Sequence, residues 1–389
     1  MPGFFLSGIH AGLKKSGKKD LALILSERPS KASAVFTKNI VKAAPVILGQ
    51  EKMKGGYCQA IIINSGNANA CNGPGGYKDA LLVSKSISEK LNIDESLVIP
   101  SSTGVIGKPL PTGKIIKSLP KLIKSLNGNN VEDAAAAIKT TDKFAKYAFR
   151  SFKIGGKTGT ICAIGKGAGM ICPNMATMLC FILTDLDISR SALNKALKIS
   201  VDKSFNKITV DGDTSTNDSV FILSNGMLGN KEITQKSRSF NSLVKTLTDI
   251  CYEVAEMIVR DGEGATKVVK IEVKGAKTTK DAEKIAGVIA NSQLTKTAFY
   301  GEDANWGRII GAAGRAGIKF NPDKIELFFD GIKVYSKGKQ FQPESKYSHI
   351  FKKSKFTVSL NIKEGKADSY ILTSDLTHNY VSINADYRT

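Results

Sequence analysis

The segment GKGAGMICPNMATML (165–179) sets a threonine, Thr177, behind a run rich in glycine and other small residues. A threonine hydroxyl has no base of its own. If the peptide bond between Ala176 and Thr177 is cut, however, the freed α-amino group sits beside that hydroxyl and titrates near ~8, where it can act as a general base at neutral pH. Before the cut, the hydroxyl can attack the preceding carbonyl if a strained turn holds the backbone. Glycines followed by Pro173 and Asn174 can supply such a turn, and the β-branch of threonine restricts χ1 and keeps the hydroxyl aimed. On these residues alone the plainer reading, the first step of a buried strand, is the stronger of the two, because the apolar run 178–183 follows directly.

An attack of this kind builds negative charge on a carbonyl oxygen and needs donors placed to receive it. Thr103 and Gly104 in SSTGVIG (101–107) are of the right type, a hydroxyl and a backbone N–H with no side chain in the way. A strand-to-helix turn explains the same loop equally well. Lys166 brings a cation to a glycine-rich loop where a substrate carboxylate can meet it. Asp211, Asp213 and Asp218 in VDGDTSTND (210–218) can hold an ammonium, a metal or their own loop backbone. The common catalytic signatures are missing: there is no GxSxG, HExxH or GxxxxGK[ST], and GKGAG lacks the spacing of a dinucleotide loop. His10, His349 and His378 are the only histidines, and none adjoins a serine or cysteine in a nucleophile setting. The six cysteines form no CxxC pair and have no close histidine, so they read as buried thiols rather than as metal or redox centres.

The elements that must position these residues fit a chain of 389 residues, 42% hydrophobic and 23% charged, which is enough for one large domain or two lobes. The net charge of +21 comes from lysines spread through nearly every segment, with no basic stretch interleaved with aromatics. This is a lysine-rich solvated surface and not a nucleic-acid platform. No apolar run approaches the roughly 20 residues needed to span a bilayer, and the lysines at 14–19 follow a short mixed stretch instead of preceding an apolar one. A cytoplasmic protein with no signal peptide and no membrane partner is expected. Buried strands are expected at 59–64, 96–100 and 178–183, with a polar loop after each of the first two. A hairpin is expected at 147–154 and 158–164, with helices near 78–92, 114–126, 133–139, 190–201, 239–259 and 281–290, a strand at 270–273 and β-hairpin material from 324 onward. Strands and helices alternate without a clean βαβ period, which predicts a layered mixed α/β or α+β fold.

Taken as a set, GKGAGMICPNMATML, ITVDGDTSTNDS (208–219), RDGEGATK (260–267), YGEDANWGRI (300–309) and the ending NADYRT resemble the ornithine acetyltransferases, also called glutamate N-acetyltransferases, over the whole chain and in the family's order. The resemblance implies a precursor cleaved before Thr177 into an α chain (1–176) and a β chain (177–389) that form one folded unit. The arrangement would be similar to the N-terminal-nucleophile enzymes with the family's own topology, typically assembled as an α2β2 heterotetramer, and no cofactor is expected. It implies Thr177 as nucleophile and Thr103 and Gly104 as the oxyanion hole. Substrate contacts would come from Thr140 in KTTD, Lys166, Thr177, Glu263, Asn384 and Thr389. The implied reaction moves an acetyl group from N2-acetylornithine to glutamate, with acetyl-CoA as a second donor in bifunctional members. An N-terminal-nucleophile aminopeptidase or amidase is the rival enzyme, and a basic nucleic-acid-binding protein the rival without chemistry. Cys172 and Ala168 stand where the family often has His and Ser; neither position has an assigned role.

Overall fold

The computed structural model describes residues 1–172 and 178–386. The described residues group into two compact units, one within 1–206 and 213–258, the other within 207–212 and 259–386.

The first unit is built on an eight-stranded sheet. Its strands are β1 (Phe4–Ile9), β2 (Leu21–Phe36), β3 (Tyr57–Asn67), β4 (Val98–Val105), β5 (Lys146–Ile154), β6 (Lys157–Lys166), β7 (Leu179–Thr184) and β9 (Ser219–Ser224). The order is β4-β3-β2-β9-β7-β6-β5, with β1 added on β2. Strand β3 shows why the sheet is layered. Ile61 and Ile63 point into one core with Phe4, Phe181 and Phe221, while Ala60 and Ile62 point into another with Leu21, Leu23, Val83 and Leu119. Side chains alternate across a strand, so a run apolar at every position must be covered on both faces. Helices α1 (Ala44–Lys52), α2 (Gly73–Leu91), α3 (Thr112–Lys124), α4 (Val131–Ala137) and α5 (Arg190–Asp202) surround the sheet. Val83 and Ile87 of α2 and Ile115, Leu119 and Leu122 of α3 line the second core, at the three- and four-residue spacings that put side chains on one helix face. Val131, Ala134 and Ala135 of α4 line the first. The expected hairpin of β5 and β6 closes through Gly155 and Gly156, both at positive φ, as a two-residue turn matched to strand twist requires.

The second unit carries a seven-stranded sheet: β8 (Ile208–Thr209), β10 (Val268–Ala276), β11 (Glu326–Phe329), β12 (Ile332–Ser336), β13 (Lys339–Gln340), β14 (Lys355–Asn361) and β15 (Ala367–Ser374), in the order β13-β12-β11-β14-β10-β15-β8. The long helix α6 (Phe240–Arg260) leads into it, followed by α7 (Thr279–Ala290), α8 (Gln293–Tyr300), α9 (Trp306–Gly314) and α10 (His378–Asp386). Ala282, Ile285, Ala286 and Ile289 of α7 pack on Val269, Ile271 and Val273 of β10, together with Phe299, Phe351 and Phe356. Thr278 caps α7 by accepting the Asp281 N–H, satisfying a donor the first helical turn leaves open.

The mixed α/β expectation holds, and three local expectations need correction. Strands β3 and β4 do not give way to loops at Asn64 and Pro100; they run on to Asn67 and Val105 because Ser65 and Gly66 pair in parallel with Thr103 and Gly104. Two of the cysteines are not buried: Cys71 is exposed in a turn at positive φ, and Cys172 is half-buried. Four strands, β1, β2, β8 and β9, lie outside the expected elements. The pattern of β2 is broken by charged residues and Pro29, and β8 is only two residues long; the short apolar run of β9 follows the acidic loop directly and carries no assignment. Among the described residues no helix is long and apolar enough to cross a membrane.

Candidate functional site

Of the expected site residues, Thr103, Gly104, Thr140 and Lys166 fall in the first unit, Glu263 and Asn384 in the second. Ala176, Thr177 and Thr389 lie outside the described residues.

Thr103 and Gly104 end β4. At Gly104 φ is +131°, and a Cβ there would lie 2.4 Å from the Gly66 carbonyl carbon and 2.6 Å from the Asn67 nitrogen. Two strands meet here through a pair of glycines, and no other residue fits. The buried Thr103 hydroxyl accepts a hydrogen bond from the Lys166 ammonium at 3.3 Å, which leaves its own O–H able to donate. Lys166, 5% exposed, closes β6 and pairs with Leu179 of β7 in the backbone register.

Asp142, whose side chain is fully buried, ties this group together. Its carboxylate accepts the Lys146 ammonium at 2.7 Å, the Gly167 N–H at 2.7 Å and the Thr140 N–H at 2.9 Å, and stands 3.9 Å from the Lys166 nitrogen. Burial pushes this carboxyl up, but the Lys166 and Lys146 charges, with the hydrogen bonds, outweigh it and hold Asp142 well below the usual carboxylate range. Lys14 lies near enough to feel Asp142 and Lys166, and burial brings its ammonium down to about 8. Sequence reasoning misses Asp142, although it is the last residue of KTTD. An aspartate two residues after a substrate threonine carries no signal of burial until β5 and β6 enclose it.

The acidic loop divides its aspartates. Asn217 donates to the Ala68 carbonyl at 2.7 Å and the Ser102 carbonyl at 2.8 Å, stitching the loop to β4 beside Thr103. Asp218 accepts the Met178 N–H at 2.8 Å, the first residue described after Thr177. Of the three possibilities open to this loop, Asp218 takes up neighbouring backbone. No group of His, Cys, Asp and Glu able to hold a metal occurs among the described residues.

In the second unit Asn384 of α10 donates to the Glu263 carboxylate at 2.9 Å, so these two expected substrate residues are side by side. The loop that follows α6 is laced to the start of α10. Asp375 accepts the Thr266 and Lys267 N–H groups at 2.9 and 3.0 Å, and the Thr377 hydroxyl donates to the Gly264 carbonyl at 2.9 Å. Gly264 has φ +69°, and a Cβ there would meet the Tyr380 nitrogen at 2.5 Å. The glycines of RDGEGATK thus serve close approach, which is what brings Glu263 against Asn384.

Two layered sheets with helices, and a hydroxyl, ammonium and carboxyl cluster gathered at the ends of β4, β6 and β7, define the class: a mixed α/β enzyme. The chain belongs to the ArgJ family, whose model matches residues 5–389. It is 45% identical over its whole length to the arginine biosynthesis bifunctional protein ArgJ of Geobacter sulfurreducens, covering 99% of that protein. Similar proteins of the same name include those of Syntrophotalea carbinolica, 47% identical and covering 99% of that protein, and of Caldanaerobacter subterraneus subsp. tengcongensis, 46% identical and covering 97%, both over the whole of this chain. The crystal structure of arginine biosynthesis bifunctional protein argJ from Bacillus halodurans, 38% identical, matches at a TM-score of 0.53, covering 54% of this chain and all of that one. The chain is thus an enzyme of arginine biosynthesis and a transferase.

Proposed function

We propose that this chain is a self-cleaving precursor whose Thr177, freed at its α-amino group, carries an acetyl group from N2-acetylornithine to glutamate by a ping-pong mechanism. The observation that carries the reading is the grouping of Thr103 and Gly104 at the end of β4 with Lys166 at the end of β6, where it pairs with Leu179 of β7, in a chain whose family match covers residues 5–389. Thr177 attacks the acetyl carbonyl, and the Thr103 hydroxyl and Gly104 N–H receive the oxyanion. Ornithine leaves with its amine protonated by the Thr177 amino group, and glutamate takes the acetyl group by the reverse steps. Lys166 meets the α-carboxylate that both amino acids share. Thr140, Glu263, Asn384 and Thr389 supply the remaining polar contacts.

The name of the relatives, bifunctional, supports acetyl-CoA as a second donor. A solved relative whose entire chain spans only 54% of this one supports separate α (1–176) and β (177–389) chains, since residues 177–389 make up a little over half of the sequence. The assembly is α2β2 and acts in the cytoplasm.

The decisive experiment mixes enzyme with acetylornithine alone. One acetyl group should appear on the peptide that begins Thr-Met-Leu-Cys, with a matching burst of ornithine, and glutamate should remove it. Intersecting initial-rate lines with no acetylated β chain would mean direct transfer and would end the role of Thr177 as carrier. Turnover in the absence of glutamate would mean that water takes the acyl group, as in an amidase.

A further inference from the structure

Lys14 is half-buried in the loop between β1 and β2, and that loop is wound round one carboxylate. Asp20, fully buried just before β2, accepts the Ala11 N–H at 2.6 Å, the Leu13 N–H at 2.7 Å and the Lys14 N–H at 3.0 Å. From this anchor the Lys14 side chain runs inward. A Cβ on Gly66 would lie 3.1 Å from its Cγ, so the aliphatic stem lies across the glycine that pairs with Gly104. The ammonium ends on two carbonyls, donating to Lys19 at 2.9 Å and to Lys139 at 2.6 Å. The second bond matters most for the site. The Lys139 carbonyl and the Thr140 N–H are the two ends of one planar trans peptide unit, and that N–H donates to Asp142 at 2.9 Å. A cation holds the oxygen end and a buried carboxylate the nitrogen end, so the unit cannot rotate without losing a charge-assisted hydrogen bond. The Asp142 oxygen that receives the Thr140 N–H also accepts the Thr140 hydroxyl at 3.5 Å and stands 3.9 Å from the Lys166 nitrogen, and Lys166 donates to Thr103 at 3.3 Å. A continuous path of polar contacts thus leads from Lys14 to Thr103.

We propose that Lys14 is a positioning residue for acetyl transfer: its ammonium fixes the Lys139–Thr140 peptide against Asp142 and so sets Thr140 and Lys166 for the polar groups of the substrate. The assignment rests on the reading of Thr140 and Lys166 as substrate contacts. An ammonium grips a carbonyl more strongly than a neutral amine does, so the hold depends on the Lys14 proton. Burial lowers the hold on that proton most; the charges of Asp20 and Asp142 oppose it, those of Lys166 and Lys139 add to it, and the ammonium comes down from 10.5 to about 8. The other charged groups about it are tied to partners of their own. Lys146 of β5 pairs with Asp142, the Lys19 ammonium pairs with Asp133 of α4, and His10 lies 3.5 Å from Asp20. Lys14 is therefore protonated at neutral pH, and its grip on the peptide weakens as the pH rises through about 8.

Lys14→Met keeps the stem and removes the charge. At neutral pH it should raise KM for acetylornithine and for glutamate together by roughly 10-fold, a quantity that does not depend on the fraction of enzyme that is active. The ratio of wild-type to Lys14→Met kcat/KM should hold steady up to about pH 7 and shrink from there to about pH 9, because only wild type has this charge to lose; the titration of the Thr177 amine is common to both and cancels. A side chain that served packing alone would give a ratio flat with pH. An unchanged KM, or a flat ratio, overturns the assignment. Thr140→Ala and Lys166→Met, measured beside it, should each raise KM as well; wild-type KM in both would overturn the reading of the substrate contacts and take the assignment with it. If Lys14→Met gives no cooperative melt, Lys14→Arg takes its place, since its charge persists across the whole range. The ratio of wild type to that variant should then fall as the pH passes about 8, and a constant ratio overturns the assignment.

Discussion

At the scale of single residues, the Thr103 hydroxyl has two roles. It accepts from Lys166, and in the proposed reaction it donates to the oxyanion. Thr103→Ala should therefore lower turnover by roughly 10- to 1000-fold, the usual effect of losing one oxyanion donor. The melting temperature should change little, because the strand pairing of β3 with β4 uses backbone atoms. Self-cleavage should slow as well, since it passes through a similar oxyanion. Steady-state kinetics beside a thermal melt checks this, and wild-type turnover would return the SSTG segment to a purely structural part. Thr177→Ala should leave the precursor whole and inactive, read on a denaturing gel.

At the scale of elements, the contact of the 261–267 loop with α10 depends on one missing side chain. Gly264→Ala adds a Cβ at positive φ, 2.5 Å from the Tyr380 nitrogen, and should cost on the order of 1–3 kcal/mol. As α10 is pushed off, Asn384 should part from Glu263, and KM should rise more than kcat falls; an unchanged melt and KM would show that the loop gives way freely. The packing of α8 on β15 has its own signature. Lys296, fully buried, donates to the Thr373 hydroxyl at 3.0 Å and also to the Ser374 carbonyl, and burial brings its ammonium from 10.5 down to about 7, Asp375 and Asp211 only partly opposing. Between about pH 7 and pH 10 the unfolded chain holds a proton on this group that the folded chain does not, so stability from this residue rises with pH across that window and is flat below it. Chemical denaturation of wild type and Lys296→Met from pH 6 to 10 should show the difference between them climbing in favour of wild type. A constant difference would mean that Lys296 keeps its charge.

At the scale of the whole molecule, the proposed cut falls between two strands that are neighbours in one sheet. Strands β6 and β7 pair antiparallel from Ile161 with Thr184 to Lys166 with Leu179, and every residue of β7 is buried. Breaking one peptide bond removes neither those hydrogen bonds nor the apolar contacts around Phe181 and Leu183. The two chains should therefore elute together from a sizing column under native conditions and separate only on a denaturing gel, with the smaller amino-terminal piece ending at Ala176. Recovery of a folded β chain alone would contradict this.

Sequence by itself determined the periodic elements and the kinds of chemistry available. The two-faced apolar run of β3, the helical spacing in α2 and α3, the Gly155-Gly156 turn and the small-residue segment before Thr177 all report local preferences that neighbouring residues set. The five motifs in order carried the family. Tertiary structure alone decided three things. Asp142, a loop carboxylate in the sequence, lies at the centre of the lysine cluster because β5 and β6 bring Lys146 and Lys166 to it from both sides. Asp218, one of three aspartates equivalent by sequence, is the one placed against β7, since only it directly precedes a strand parallel to that one. Strands β3 and β4 outrun their apolar stretches because glycine faces glycine across them, a cause that lies in pairing between distant segments and leaves no period in either.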